Sequence, residues 1–413
     1  MRFVSVLVLV AGCGFQVNGG AASGDNAPGD DQPGSDSGPE TGSDSGSDEP
    51  PPAPIDIAHV SSTDEAALTS TFDWTVSANQ TLDTSTMTAT PAFPSGVVMT
   101  AVDQENGGTG LLIVQAKNVH IASGATFRVT GSRVLVLVGS ASISIDGTLD
   151  ASAELGTPGP GGAGASDGAG AGVDAISHAS QFGFDTGGGG ASFGTVGAKG
   201  GSVGNPTVNA PATGPVYGDA TLTRLVGGSG GGDAHPTACN VKGGAGGGAV
   251  QLSTHALHIA GSVRANGGGG AGGVVCDNSN SPIANDSGNS DAASGGGGGS
   301  GGAIFIQADQ LDGGGWLVAN GGGGGGGGCV SCMGATSGGA GQNGAANAQV
   351  ASGGTSPLPE SAGLGGAGAS SAGAAANGVN GGNGGGGGGA VGRIHYAVSM
   401  SGVGAINASP AAQ

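Results

Sequence analysis

His258 and Asp312 occupy equivalent places in two short alternating stretches, "ALHIAG" and "QLDGGG", and His120 holds the same place in "NVHIAS". Stacked on neighbouring strands, these positions give an outward column His120–Ser144–His258–Asp312–Ser401. A second column, Lys117–Ala141–His255–Asp309, runs beside it. An imidazole next to a carboxylate is the material of general acid–base catalysis or of a metal site. The same residues also suit a solvated surface, which is the expected role because no third ligand or nucleophile joins them. A further outward column, Arg128–Asp150–Arg264, alternates in charge, and Asp150 is expected to bridge both arginines as a device that sets register.

Other catalytic signatures dissolve on inspection. G-x-S-x-G occurs at Gly164–Gly168, Gly227–Gly231 and Gly298–Gly302, but none sits at a strand-to-helix turn, and 98 glycines make chance matches inevitable. Lys199 and Lys242 are each followed by Gly-Gly, so no phosphate-binding G-K-[ST] exists. The one Asp-Asp pair, Asp30-Asp31, lies in a low-complexity stretch. No catalytic residue, cofactor or metal site is assigned. Nine Lys and Arg stand against 29 Asp and Glu, a net charge of −20, which argues against nucleic acid as a partner.

Position along the chain is more informative. "MRFVSVLVLVAGC" has a basic residue, a short apolar run and small residues before Cys13, the layout of a secretory signal at 1–12. Val10-Ala11-Gly12-Cys13 resembles the bacterial lipobox, in which the Cys is acylated. That resemblance implies a lipid anchor at Cys13, and Gly14 after it implies the outer membrane. Residues 13–54 then hold eight acidic residues, no basic ones and much Ser, Gly and Pro, which suits a disordered acidic tether. Its "GSDSG" repeats are expected to be solvated spacer rather than a calcium site.

Beyond the tether, residues 55–111 are expected to form a β-rich cap or first coil, with Trp74, Val76, Leu82 and Met87 covering an open end. "DEAAL" is expected to form one helical turn. A repeated template follows, at 112–131, 135–152, 249–268, 303–322 and 394–409. Each copy reads as an alternating strand, a short break, a second strand, a Gly break and a third short strand ending in a small polar residue. Val119 and Ile143 are 24 residues apart, as are Ile121 and Ile145. This predicts an all-β fold: a short right-handed parallel β-helix of about five or six coils. The expected interior columns are Leu112–Val136–Val250–Ile304–Ile394, Val119–Ile143–Leu257–Leu311–Met400 and Phe127–Leu149–Val263–Leu317–Ile406.

The copies are separated by Gly-rich insertions at 153–248, 269–302 and 323–393, all leaving after the third strand and hence from one edge. Two states compete for them. Ordering the backbone costs roughly 1–2 kcal/mol per residue, more for Gly, and favours disorder. Threefold extended helices packed side by side are the alternative, favoured by the shared exit edge. Four cysteines, Cys239, Cys276, Cys329 and Cys332, lie beside these insertions and are disulfide candidates. The local pairing is Cys239–Cys276 with Cys329–Cys332, while Cys276 and Cys329 are also placed to face each other across adjacent insertions.

Lipobox, acidic tether and coils of "GGAI-x-I…L…G…ANGGGG" together resemble the Gly-rich surface lipoproteins of myxobacteria and related bacteria. The insertions are similar in composition to phage adhesins with packed polyglycine helices. The resemblance implies a non-catalytic cell-envelope protein, structural or adhesive, lipid-anchored and in contact with extracellular glycan or other envelope components. A carbohydrate-active β-helix or a glycan-binding module is the alternative.

Overall fold

A computed structural model describes residues 55–65, 70–177, 184–203, 208–235, 239–277, 290–329, 336–358, 362–371, 373–398 and 406–413, all within the unit Pro52–Gln413. Secretory segment, Cys13 and tether lie outside them, as do Met400, Ser401 and Cys332.

The first four copies of the template build two strands rather than three, and residues 399–405 of the fifth lie outside the described residues. The first two predicted strands fuse: in three copies the stretch between them ("QAKN", "STHA", "QADQ") holds no Gly or Pro to turn the chain, and in the other Gly139 is taken up in a bulge without ending the strand. The fused strands are β5 (Leu111–Ile121), β7 (Val134–Ile145), β9 (Ala249–Ile259) and β13 (Ala303–Gly313), and β15 (Arg393–Val398) holds the place of the first predicted strand in the fifth copy. Their short partners are β6 (Thr126–Thr130), β8 (Thr148–Asp150), β10 (Ser262–Arg264), β14 (Trp316–Val318) and β16 (Asn407–Ser409). These strands pair in parallel in the order β5-β7-β9-β13-β15, and the short ones in parallel in the order β6-β8-β10-β14-β16. The chain therefore alternates between two sheets of parallel strands.

Apolar alternation places one face of each sheet in a shared core. Val119, Ile143, Leu257 and Leu311 lie opposite one another on successive strands, as do Phe127, Leu149, Val263 and Leu317, and all are buried. Two expected positions are corrected. Leu135, not Val136, stands between Leu112 and Val250, because β7 carries an extra residue that shifts register between Gly139 and Ser142. Val136 faces the opposite side. At the far end Ala408 opposes Leu317, and Ile406 packs partly buried two residues earlier on the same side.

The preceding segment closes one end. β1 (Asp73–Val76) adds to β5 in parallel, and β2 (Gln80–Asp83) adds to β6. Antiparallel β3 (Thr88–Thr90) and β4 (Val98–Val102) pair with β2 and β5. Trp74, Val76 and Leu82 are buried, Met87 packs against them, and Trp74 makes edge-to-face contacts with Phe93 at 4.9 Å and Phe127 at 5.3 Å. A helical turn forms at α1, Ser62–Glu65, and takes in Asp64 and Glu65 of the expected stretch, whose Ala66, Ala67 and Leu68 lie outside the described residues. No described helix is long and apolar enough to cross a membrane.

The first halves of the fused strands are buried on both faces, which their near-continuous apolar runs ("LLIV", "VLVLV") permit. Leu111, Ile113, Val134, Val136 and Val138 pack outward against Ile57, Val60, Phe193, Leu222 and Leu225. The first insertion is thus bolted onto the sheet by its few large apolar residues.

The glycines themselves are ordered. Segment 295–302 donates from Gly295, Gly298 and Gly301 to Gly384, Gly387 and Ala390, and from Gly296, Gly299 and Gly302 to Ala271, Gly268 and Ala265. Gly297 and Ser300 donate to Gly232 and Ser229. Residues three apart address the same neighbour, as expected of a helix with three residues per turn. Carbonyls of the same segment accept from Gly188 and Ala191, from Gly244 and Gly247, and from Gly322 and Gly325. This one segment is hydrogen-bonded to six others. Close approach explains the composition: a Cβ on Gly297 would lie 1.9 Å from the Gly189 carbonyl oxygen. A hairpin that the sequence did not suggest, β11 (Val275–Asp277) with β12 (Ser290–Ala292), decorates the second insertion.

Candidate functional site

At the corner where the fused strands turn toward the short ones, the His and Asp column forms a chain of contacts. Cα partners run His120, Ser144, His258, Asp312 across β5, β7, β9 and β13. His258 Nδ1 lies 2.6 Å from Asp312 Oδ1. His120 Nε2 lies 2.9 Å from Asp146 Oδ2, and the other oxygen of Asp146 is 3.8 Å from His258 Nε2. The order in space is His120–Asp146–His258–Asp312. Asp146 was missed because it occupies the turn after β7, outside the strand positions that the repeat aligns. Its signal was "IDG", a near copy of the "LDG" that contains Asp312. His255 and Asp309 pair at 2.5 Å further along the same face.

These groups are substantially exposed, up to 69% for the Asp312 side chain, so the pairs stand in water rather than in a desolvated catalytic cleft. Among the described residues no group of three or more His, Cys, Asp or Glu is placed to hold a metal ion. Arg128 binds Asp150 at 2.6 Å, but the expected second bridge does not form. Arg264 Nε instead donates to Ser262 Oγ at 3.0 Å, because a hydroxyl within its own strand is nearer to hand.

Two shallow grooves flank the chain of pairs. One, of about 530 Å³, is walled by Ser142, Ser144, His258, Gln310 and Asp312. The other, of about 350 Å³, is walled by Thr126, Asp146, Thr148, Ser262, Arg264 and Trp316. A third and larger groove, about 770 Å³, lies on the glycine body beside Tyr217, Asp219 and Arg224. Its tyrosine and aspartate are spent internally. Burial pushes the Tyr217 hydroxyl up to about 12, although Ser229 and Ser300 pull the other way, and that hydroxyl donates to the Gly227 carbonyl at 2.8 Å. Burial also acts to raise Asp219, but hydrogen bonds from Thr223 and Thr221 outweigh it and hold the carboxyl well below the usual range.

The G-x-S-x-G serines are structural. Ser229 and Ser300 are fully buried in the glycine body, where the Ser229 N–H donates to Ser300 Oγ at 2.9 Å. Ser166 Oγ donates to Asp174. None presents a free nucleophile to a histidine.

Among the cysteines, Cys239 and Cys276 form a disulfide with Cα atoms 5.6 Å apart. That bond rules out a disulfide between Cys276 and Cys329. Cys276 packs with Cys239, Ala234, Val241 and Ala293, whereas Cys329, itself disulfide-bonded, packs against Ala362. No protein-family model, curated protein or solved structure matches the chain.

Proposed function

We propose that the protein is a non-catalytic cell-envelope lipoprotein in which a short right-handed parallel β-helix carries a rigid glycine body as a structural or adhesive surface. The observation that carries this reading is the sixfold hydrogen bonding of segment 295–302. A segment so enclosed is a building element, and a chain with 98 glycines among 413 residues that builds such elements is making a surface rather than a cleft. The alternation of the chain between two parallel sheets supports the β-helix. Acylation at Cys13 and an acidic tether would hold this body away from an outer membrane, in reach of glycan or other envelope components.

The two halves of the reading separate experimentally. Hydrogen exchange should find residues 293–302 and 319–328 among the slowest in the chain, and exchange within seconds would reject a rigid body. Metabolic labelling with a palmitate analogue should mark the wild type and not Cys13→Ser. A wild type without label would remove the anchor.

A further inference from the structure

The corner between the two sheets carries a binding surface that the surface-building role does not use. Trp316 begins β14, where its neighbour Leu317 takes the core position and turns the indole into the 350 Å³ groove. The only other tryptophan, Trp74, is buried in the cap. On a protein with so few aromatics, this one leaves part of its indole exposed to the groove.

What surrounds it is a row of hydrogen-bonding groups at strand spacing. Thr148, Ser262 and Trp316 are successive Cα partners across β8, β10 and β14, and Thr126 precedes them on β6. Arg264 holds Ser262 Oγ, and Thr148 Oγ1 lies 3.3 Å from the same atom. Asp146, on the wall of this groove, reaches to 3.8 Å from His258 on the wall of the next. The two grooves thus adjoin, and together they offer hydroxyls, imidazole, carboxylates and an amide on either side of Asp146.

We infer that this corner is a binding site for a neutral oligosaccharide, with Trp316 as the stacking platform and Asp146, His258 and Asp312 accepting and donating hydrogen bonds to sugar hydroxyls. An open groove suits an extended chain rather than an enclosed small molecule. Adjacent donors and acceptors suit a ligand that is itself both at every position. The charge decides against acidic polysaccharide: Asp146, Asp309 and Asp312 line this face, and the chain carries −20 overall. Apart from Ala346 of the third insertion, this groove is lined by the strand-bearing body, and the site does not depend on the anchor.

The test is titration of the full chain with cellohexaose, xylohexaose, mannohexaose and maltohexaose, with a polygalacturonate oligomer as the acidic comparison, by calorimetry and tryptophan emission. At least one neutral hexasaccharide should bind with a Kd below about 1 mM and shift the emission. Trp316→Ala should weaken that binding about tenfold or more while circular dichroism and Trp74 emission persist. Asp146→Asn, which keeps the fold's packing, should weaken it as well, and Arg224→Ala on the distant groove should not. The proposal is overturned if no neutral oligomer binds, if the acidic oligomer binds at least as tightly, or if both Trp316→Ala and Asp146→Asn bind like the wild type.

Discussion

The backbone N–H of Asn320 donates to the side-chain oxygen of Asn266 at 2.8 Å, linking two copies of the repeat at the point where each releases a glycine insertion. The contact is one rung of a longer ladder. Asn266 N–H donates to Ser152 Oγ at 3.1 Å, and Ser409 Oγ donates to Asn320 Oδ1 at 2.6 Å. Ser152, Asn266, Asn320 and Ser409 are all buried, and they are the small polar residues that close successive copies of the template. Just before them, Ala151, Ala265 and Ala319 donate across to Arg264, Val318 and Ser409, so the sheet's hydrogen bonding continues into the exits.

Asn266→Leu therefore leaves the Asn320 N–H buried without an acceptor. The expected loss is about 1–3 kcal/mol of unfolding free energy. Urea denaturation monitored by circular dichroism would show it as a lower midpoint with an unchanged slope, and an unchanged midpoint would remove the ladder from the account of stability.

Glycine is required at Gly297 by contact rather than by backbone angle. Gly297→Ala should cost about 1–3 kcal/mol or more, the range for overpacking a dense interior. Gly314→Ala places its methyl where no atom lies within 4 Å, and its effect should stay within about 1 kcal/mol of zero. Equal melting temperatures for the two variants would contradict a close-packed glycine body.

Tyr217 sets an alkaline limit. Its hydroxyl ionises near 12 in the folded chain and at about 10 when exposed, so its contribution is complete below pH 10. Between 10 and 12 the unfolded chain has already released a proton that the folded one retains, and stability falls by about 1.4 kcal/mol per unit. Unfolding measured from pH 9 to 12 should show this slope in the wild type and a shallower one in Tyr217→Phe.

The disulfide closes a loop between residues 37 apart in sequence, Cys239 and Cys276. Replacing both by Ser should lower stability by about 2–4 kcal/mol. Because the bond sits in a small apolar cluster with Ala234, Val241 and Ala293, the loss should appear as faster hydrogen exchange around residues 234–241 and 271–277. The exchange of β5 and β7 should be little affected.

The strand-bearing body was legible because period-2 alternation is written in side chains. Val119, Ile143, Leu257 and Leu311 align by eye, and Leu317 and the exits after Ser152, Asn266 and Asn320 follow from the same repeat. The alternation could not register the extra residue in β7, which brings Leu135 to the core in place of Val136. In an unbroken run such as "VLVLV", inward and outward positions are equally apolar. Nor could it find Asp146, whose role depends on where a turn carries it relative to His120 and His258. The glycine body lay furthest from view. Glycine has no side chain and so writes no pattern, and the partners that order Gly295 and Gly298, namely Gly384 and Gly387, are distant in sequence. Composition alone fixed that these segments were capable of close approach. Only the stacking of the repeats, which delivers every insertion to one edge, supplied the neighbours whose hydrogen bonds repay the entropy of ordering them.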